Sequence, residues 1–334
     1  MDLSIILPTL NRSFFIDKLL KYYESFNFSG KIIIIDSSSK THLEKNTQRI
    51  NQSFLNIHHI KLISDEFYAM KIGLNYIKTN YAVHSGDDDF FSISGLSEMV
   101  VFLNNKQECI FVNEKSFFII YNTKTKTIKG SSYYDMPYYD DASVIKRLNS
   151  INKYNQLPVY TVYRTKYLKK IYDNLLTSEN QSIKLRRCFN EYMWKILPPL
   201  LGRGYKLKDK FYLVRFQTDI KYMRDNISEI KDQGFDEIHE ECINKINLFV
   251  NKEYNNSKII KLSNKIFQSI VDDNLNISFQ NIFFRKIYKL KLILIYIIYR
   301  LIYRGKKLHQ NYLDTKNEKK YLIEMESMIK ILLN

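Results

Sequence analysis

Glycine, proline and cysteine are all scarce in this chain of 334 residues. Nine glycines and five prolines are too few for a collagen-like protein or for long flexible linkers. The three cysteines, Cys109, Cys188 and Cys242, are widely separated and form no CxxC pair. This pattern favours reduced thiols in a cytosolic protein over a disulfide framework or a zinc site. The first residues lack the basic and apolar segments of a signal peptide, so we expect a cytoplasmic location.

Acidic residues are outnumbered by basic ones. The chain has 51 lysines and arginines against 35 aspartates and glutamates, a formal net charge of +16. Such an excess predicts an anionic partner: a nucleotide, a phospholipid surface or a nucleic acid. The abundance of Lys, Asn, Ile and Tyr also fits a biased genome, so charge alone does not choose between these partners. Apolar residues make up 45%, and the length predicts one sizeable domain with an appendage.

Short apolar runs alternate with helical patterns in the first part of the chain. Helical spacing occurs at Phe14–Phe26 and Tyr68–Ile77. Strands are predicted at Leu3–Leu7 (ended by Pro8), Lys31–Asp36, His58–Ile63, Tyr81–Val83, Cys109–Val112, Phe117–Tyr121, Val159–Tyr163 and Phe211–Phe216. Alternation of this kind predicts an α/β fold with a mostly parallel sheet that has helices on both faces.

The composition changes after about residue 222 to polar, helix-prone sequence. We therefore predict a main domain over 1–222 and a helical region over 223–334. Within it, the segment 282–307 carries eight basic residues and no acidic one. Its longest uncharged stretch, Leu292–Tyr299, is far shorter than the roughly 20 residues that span a bilayer. The segment suits a helix on the anionic inner face of a membrane, or one packed on the main domain or in a homodimer.

Three consecutive aspartates, Asp87, Asp88 and Asp89, follow the predicted strand Tyr81–Val83. Adjacent carboxylates repel one another unless a cation or several donors lie among them. Such a cluster suits Mg²⁺ or Mn²⁺, which usually bridges to substrate phosphates. Ligands of open α/β sheets bind at the carboxyl ends of the strands. The alternative is a solvated acidic turn, or an aspartate that caps a helix beginning near Ser94.

The turn after the first predicted strand is the second candidate site. A strand-to-helix turn exposes backbone N–H groups and would place Thr9, Asn11 and Arg12 near an anion. Alternatively, Asn11 or Ser13 only caps the following helix.

The order and spacing of these segments, from Leu3 to Asp219, resemble the family-two glycosyltransferases with a GT-A fold. The similarity is greatest to the bacterial branch whose acidic motif is a run of aspartates followed by Phe, here Asp87-Asp88-Asp89-Phe90. The resemblance implies a Rossmann-like sheet and transfer of a sugar from a nucleotide-sugar donor to a hydroxyl group. It also implies inversion at the anomeric carbon and a glycan or lipid-linked acceptor, as in polysaccharide biosynthesis.

The resemblance assigns donor-binding roles to one group of residues. These are Pro8, Thr9, Asn11, Arg12, Asp36, Lys71, Asp87 and Arg215. Two positions depart from the family pattern: Met70 stands where an arginine is common, which leaves Lys71 as a weaker substitute, and Gly86 replaces the first aspartate of the acidic motif.

The resemblance also assigns metal-binding and catalytic residues. Asp88 and Asp89 are the predicted ligands of Mn²⁺ or Mg²⁺, with a register uncertain by one residue. Gln217 replaces a metal-binding histidine of the family, so the aspartates and the donor phosphates would hold most of the metal. Glu191 is the predicted base that removes the acceptor proton; Asn190 is its rival, and a surface or helix-terminal glutamate is the alternative.

Two other function classes are the alternatives. A nucleotidyl or phosphoryl transferase would need a glycine- and lysine-rich phosphate loop, and Leu7–Phe14 contains no glycine. A basic module that binds nucleic acid or membrane meets the electrostatic criterion but gives no role to the aspartates or to Glu191. We therefore expect an enzyme, and we expect no nucleic-acid partner.

Overall fold

The computed structural model describes residues 1–122, 127–134, 137–151, 157–177, 182–218 and 234–273, with 324, 327, 328, 330 and 331. The strands are β1 (Leu3–Thr9), β2 (Lys31–Asp36), β3 (Asn56–Lys61), β4 (Tyr81–His84), β5 (Asp89–Phe91), β6 (Cys109–Asn122), β7 (Thr127–Tyr134), β8 (Val162–Arg164) and β9 (Arg203–Thr218). The helices are α1 (Ser13–Ser25), α2 (Lys40–Asn51), α3 (Glu66–Leu74), α4 (Ile93–Asn105), α5 (Val144–Asn149), α6 (Thr165–Asp173), α7 (Ile183–Leu201) and α8 (Phe235–Tyr254).

The strands form one mixed sheet with the order β3-β2-β1-β4-β8-β6-β9-β5, and β7 pairs with β6. The first four strands are parallel, while β8 runs antiparallel to β4 and to β6. Ile32 to Ile35 are fully buried, as expected for a parallel strand covered on both faces. Alternate residues enter different hydrophobic clusters: Ile33 and Ile35 face one side of the sheet, Ile32 and Ile34 the other. The predicted α/β class is confirmed.

Several predicted boundaries differ from the structure. Pro8 was expected to end the first strand but lies inside β1. The ladder with β4 ends at the Ile6–His84 pair, so the missing N–H of Pro8 costs no hydrogen bond to that strand. The two strands expected within 109–121 are one long strand, β6, which forms a hairpin with β7. The sequence pattern gave no sign of α2, whose apolar positions are sparse and whose buried residue is Asn46.

The described helices beyond residue 222 pack against the main domain. α8 contributes Ile238, Cys242 and Ile246 to the same hydrophobic cluster as Trp194 of α7. On the other face of the sheet, Met328 is buried in the second cluster. The basic segment 282–307 lies outside the described residues. In the portion that the structure covers, no helix combines the length and the apolar character needed to cross a bilayer.

Candidate functional site

The candidate site lies where the direction of strand order reverses. From β1 the chain goes to β2 and β3 on one side, and then to β4 on the other. The crevice at such a switch point, at the carboxyl ends of the strands, is where ligands of open α/β sheets bind. The turn after β1 and the aspartate turn after β4 therefore meet at this crevice, and they are joined by direct hydrogen bonds between their side chains.

Asp87 is the buried centre of the site, with only 3% of its side chain exposed. Its Oδ2 accepts a hydrogen bond from the Thr9 hydroxyl at 2.7 Å, and its Oδ1 lies 2.7 Å from Nη1 of Arg12. The second terminal nitrogen of Arg12, Nη2, lies 2.5 Å from Oδ2 of Asp88. The Arg12 guanidinium also lies over the Phe15 ring, 4.4 Å from its centroid, a cation–π contact that fixes its position. Arg12 thus holds two adjacent acids with one planar group.

The turn itself is closed by Asp89. Its Oδ2 accepts a hydrogen bond from the Gly86 N–H at 3.2 Å, and the Ser85 hydroxyl donates to the carbonyl oxygen of Gly86. A Cβ at position 86 would lie 2.7 Å from Asp89 Oδ2, so a larger residue there would displace the Asp89 carboxylate. Asp89 thus faces the interior of the turn.

Arg12 does not fully offset the negative charge at this turn. Burial raises the pKa of Asp87, the neighbouring charges of Asp88 and Asp89 raise it further, and Arg12 and Thr9 lower it; the result is a pKa of about 8. Asp88 is the acid nearest to solvent, with 20% of its side chain exposed. Asp88 is therefore the carboxylate of this turn that a further cation could reach from solvent.

Asp36, predicted to bind the donor, is fully enclosed, with no side-chain exposure. Its carboxylate accepts from the Ser38 N–H at 3.0 Å and from the Asn46 amide at 2.8 Å, and His59 Nε2 lies 3.1 Å from it. Burial raises its pKa, but these three partners together bring it down to about 2. Asp36 therefore fixes the loop after β2, and its direct contact with a nucleotide stays a prediction.

The loop after β2 is tied to the turn after β1. The N–H of Asn11 donates to the Ser38 hydroxyl at 2.8 Å, and the Asn11 side-chain oxygen accepts from the Ser39 N–H at 2.8 Å. Asn11 has a left-handed backbone with φ of 55°, a conformation that asparagine adopts more readily than most residues. Neither Asn11 nor Ser13 caps α1, whose N-cap is Arg12 with no side-chain hydrogen bond. These contacts make the rim of the crevice.

Glu191 is half-buried on α7. One helical turn before it, Arg187 pairs with Glu66 at 3.0 Å, and the buried Arg186 pairs with Asp65 at 3.1 Å. Asp65 is the N-cap of α3, which begins at the carboxyl edge of the sheet, so this half of α7 lies at the same edge as the acids. Asn190 is fully buried and holds the backbone of Leu176 through both atoms of its amide. Both polar atoms of the Asn190 side chain therefore serve to hold the backbone.

The remaining predicted residues are placed by backbone position. Arg215 on β9 pairs directly with Asp89 on β5, which brings it next to the acidic turn. Lys71 lies in the last turn of α3 and is half-buried. Arg164, directly after the predicted strand Val159–Tyr163, pairs with Tyr81 at the start of β4 and donates to the carbonyl oxygen of Leu103. It lies at the opposite edge from the acids.

The sequence did not reveal the partners of Asp36. Asn46 and His59 lie 10 and 23 positions away in sequence, and nothing local marks them. His84, at the end of β4, was also missed: it is buried, and its Nδ1 lies 2.7 Å from the Tyr172 hydroxyl. For His59, the one signal in the sequence was its neighbour His58 in the predicted strand His58–Ile63. Strand alternation places these two histidines on opposite faces of the sheet.

The donor set at the acidic turn fits one kind of metal site. No group of three or more His, Cys, Asp or Glu side chains that could hold an ion occurs among the described residues. A protein-only cage is therefore not built by that part of the chain. Magnesium commonly uses one or two carboxylates together with substrate phosphates and waters. The partly exposed Asp88, beside an acid with a raised pKa, fits that shared type.

No protein-family model matches the chain, and no curated protein matches its sequence. Among solved structures, residues 1–349 of S. aureus TarS align with a TM-score of 0.53 and 15% identity, over 99% of this chain and 81% of that one. The chain has the GT-A fold. This agreement confirms the predicted architecture; at such an identity it extends to the fold alone.

Two further solved structures with the GT-A fold align less well. One is S. aureus TarS 1–349 in complex with UDP-GlcNAc, with a TM-score of 0.45, 15% identity, and coverage of 82% of this chain and 92% of that one. The other is mannosyltransferase PcManGT from Pyrobaculum calidifontis in complex with GDP-Man and Mn²⁺, with a TM-score of 0.44, 9% identity, and coverage of 99% and 85%. We base the fold assignment on the first alignment only.

Proposed function

We propose that this protein is a glycosyltransferase that moves a sugar from a nucleotide-sugar donor to a hydroxyl group of a glycan or lipid-linked acceptor. The observation that carries the proposal is the joined pair of turns at the switch point. Asp87 is held by Thr9 and Arg12 from the neighbouring strand, so the two strand ends form one polar crevice. A buried acid with a raised pKa in such a crevice is typical of a functional site.

The donor diphosphate would lie between the two turns. Arg12 provides a planar fork that matches phosphate oxygens, and the backbone register puts Arg215 beside the same turn. Asn11, Ser38 and Ser39 form the rim where the nucleoside would bind: Asn11 bonds to both serines, and Ser38 ties the rim to the buried Asp36. Asp36 supports that rim from below. Pro8 and Lys71 stay predicted donor contacts.

We propose Mn²⁺ or Mg²⁺ as the divalent cofactor, held jointly by Asp88 and the donor phosphates. Asp88 is the better placed of the two predicted ligands, because Asp89 is buried and bonded to Gly86 within the turn. When bound, a divalent cation would offset the negative charge that develops on the departing nucleotide.

Glu191 is the proposed catalytic base. It would accept the proton of the acceptor hydroxyl while that oxygen attacks the anomeric carbon and the nucleotide diphosphate leaves. A direct displacement with one base inverts the configuration at the anomeric carbon. The ion pairs of Arg186 and Arg187 with α3 fix the position of α7, and hence of Glu191, relative to the donor crevice.

A donor screen followed by one substitution tests this function. Thermal shift with UDP and GDP sugars, in Mn²⁺ or Mg²⁺, should identify a stabilising donor. Glu191→Gln should keep nucleotide affinity within about twofold and lower turnover by about 10²-fold or more, the usual contribution of a general base. Glu240→Gln, on the exposed face of α8, is the matched control and should retain full turnover. Loss of donor binding with unchanged turnover at saturation would reject Glu191 as the base.

The acceptor side of the proposal depends on the basic segment 282–307. A lipid-linked acceptor would place the enzyme on the inner face of the cytoplasmic membrane, and this segment has the composition for such contact. Co-sedimentation with phosphatidylglycerol vesicles, compared with phosphatidylcholine vesicles, tests the contact directly. A homodimer through the same segment would instead appear as a doubled mass in light scattering.

A further inference from the structure

Arg12 holds Asp88 at the position where the proposed metal would bind. Its Nη2 lies 2.5 Å from Asp88 Oδ2, while Nη1 lies on Asp87. The other oxygen of Asp88 lies against the turn, 3.0 Å from the position of a Cβ on Gly86. An ion coordinated by Asp88 would therefore approach the oxygen that Arg12 already contacts, or require the Asp88 side chain to turn outward.

The Arg12 guanidinium and a divalent metal ion would also repel each other. A guanidinium does not lose its proton in a protein, so Arg12 remains positive at all working values of pH. A divalent ion within a few ångströms of it would be repelled while both share the same two carboxylates. Arg12 therefore weakens binding of a free metal ion to Asp88.

A diphosphate changes this balance because it offers Arg12 a second partner. The guanidinium fork fits phosphate oxygens at least as well as two separate carboxylates. A phosphate group beside Arg12 would accept hydrogen bonds from it and contribute negative charge to the metal. We propose, on the basis of the proposed function, that Arg12 and the metal ion are alternative partners of Asp88. The metal then binds tightly when the donor is bound and weakly when it is not.

The coupling follows from linkage. If the nucleotide raises the affinity for the metal, the metal raises the affinity for the nucleotide by the same factor. Arg12 is then a positioning residue: it exchanges partners between Asp88 and the diphosphate and sets the size of this coupling.

Mn²⁺ binding measured by electron paramagnetic resonance tests the inference with the full-length protein. With Mn²⁺ alone, Arg12→Ala should bind at the site about tenfold more tightly than the wild type, a typical size for such coupling. Arg12→Lys keeps a charge but not the fork, so its gain should be smaller. Adding Asp88→Asn to Arg12→Ala should remove the gain, because the ligand is lost.

Arg49→Ala is the matched control, because Arg49 also bridges two carboxylates, Asp17 and Glu24, away from the crevice. It should leave Mn²⁺ affinity unchanged. UDP or GDP, whichever stabilises the wild type, should raise Mn²⁺ affinity in the wild type and much less in Arg12→Ala.

Two results would overturn the inference. One is a folded Arg12→Ala or Arg12→Lys protein, judged by its melting curve, that binds Mn²⁺ no more tightly than the wild type. The other is an equal gain in Arg49→Ala. The metal-alone measurement involves no donor, so its failure is separate from a failure of the proposed sugar transfer, which the donor screen reports.

Discussion

Two arginines in this protein each bridge a pair of acids. In one group a bridged acid has a raised pKa, and in the other both acids have lowered pKa values. We call Arg12, Asp87 and Asp88 the crevice cluster. In it, the pKa of Asp87 is raised to about 8, because burial and the neighbouring acids outweigh Arg12 and Thr9. The buried acid therefore gains less from its arginine than it loses by leaving water.

The second group joins helices α1 and α2, and we call Arg49, Asp17 and Glu24 the helix cluster. Nε of Arg49 lies 2.9 Å from Asp17, and its Nη2 lies 2.6 Å from Glu24. Burial raises the pKa of both acids, but hydrogen bonds and charge from Arg49, with Lys21 at Asp17 and Ser53 at Glu24, lower both overall. These acids are 31% and 19% exposed, against 3% for Asp87.

The difference in pKa shift and exposure distinguishes the helix cluster, a structural contact, from the crevice cluster, a functional one. The helix cluster has enough partners and enough water for each charge, so it contributes to stability as ordinary ion pairs do. In the crevice cluster the charged form of the buried Asp87 is disfavoured, so that its pKa is raised. Natural proteins depart from local optimality in this way mainly at functional sites, which is why we assign the chemistry to the crevice.

The largest expected effect comes from neutralising one acid in each cluster. Asp88→Asn should lower sugar transfer by about 10²-fold or more, as expected when a charge-stabilising group at the reacting phosphate is removed. Glu24→Gln should change transfer by less than about twofold. Initial rates with the donor found in the screen measure both variants.

Melting curves of the two variants provide the control. A loss of activity in Glu24→Gln, or full activity in a folded Asp88→Asn, would show that the two clusters do not differ in function as proposed.

Asp36 shows that burial alone does not raise the pKa of an acid in this protein. It is as buried as Asp87, yet its pKa is lowered to about 2. Its folded-state value lies below the unfolded value of 3.8. Its contribution is therefore complete above about pH 4 and is lost as the pH falls towards 2. Asp36→Asn should lower the free energy of unfolding by about 2 kcal/mol at pH 7, measured by urea denaturation. The deficit relative to the wild type should shrink between pH 4 and pH 3.

Asp173→Asn, an exposed acid at the end of α6, is the control and should leave stability nearly unchanged. A deficit of Asp36→Asn that stays constant down to pH 3 would mean that the hydrogen bonds to Asp36 do not depend on its charge.

The sequence predicted the frame of the fold because that information is local. The run of isoleucines in β2 and the position of Asp87 after an apolar strand are visible within a few residues, and both agree with the structure. The contact of Arg12 with the acidic turn was not predicted, since the two lie 76 residues apart in sequence. Their contact depends on the parallel pairing of β1 with β4.

Other features depend on partners that no local pattern marks. Asp36 was read as a ligand-binding acid because its type and place fit that role, while its saturation by Asn46 and His59 is visible only in three dimensions. Asn190 was a rival base by position alone, and its amide proves to hold Leu176. Helix α2 was missed because it buries a polar side chain, which breaks the apolar periodicity on which helix prediction rests.

The smallest expected effect comes from disturbing the turn below the crevice cluster. Gly86→Ala would place a Cβ 2.7 Å from Oδ2 of Asp89, so the Asp89 carboxylate must move and lose its bond to the Gly86 N–H. We expect a loss of about 1 kcal/mol in the free energy of unfolding, the usual value of one such bond.

In the Asp89→Ala background, which lacks that carboxylate, the same substitution should cost clearly less, because the stability changes of substitutions at contacting residues are not additive. Urea denaturation of the four proteins of this cycle gives both costs. Equal costs in the two backgrounds would mean that Asp89 does not hold the turn on which the crevice cluster rests.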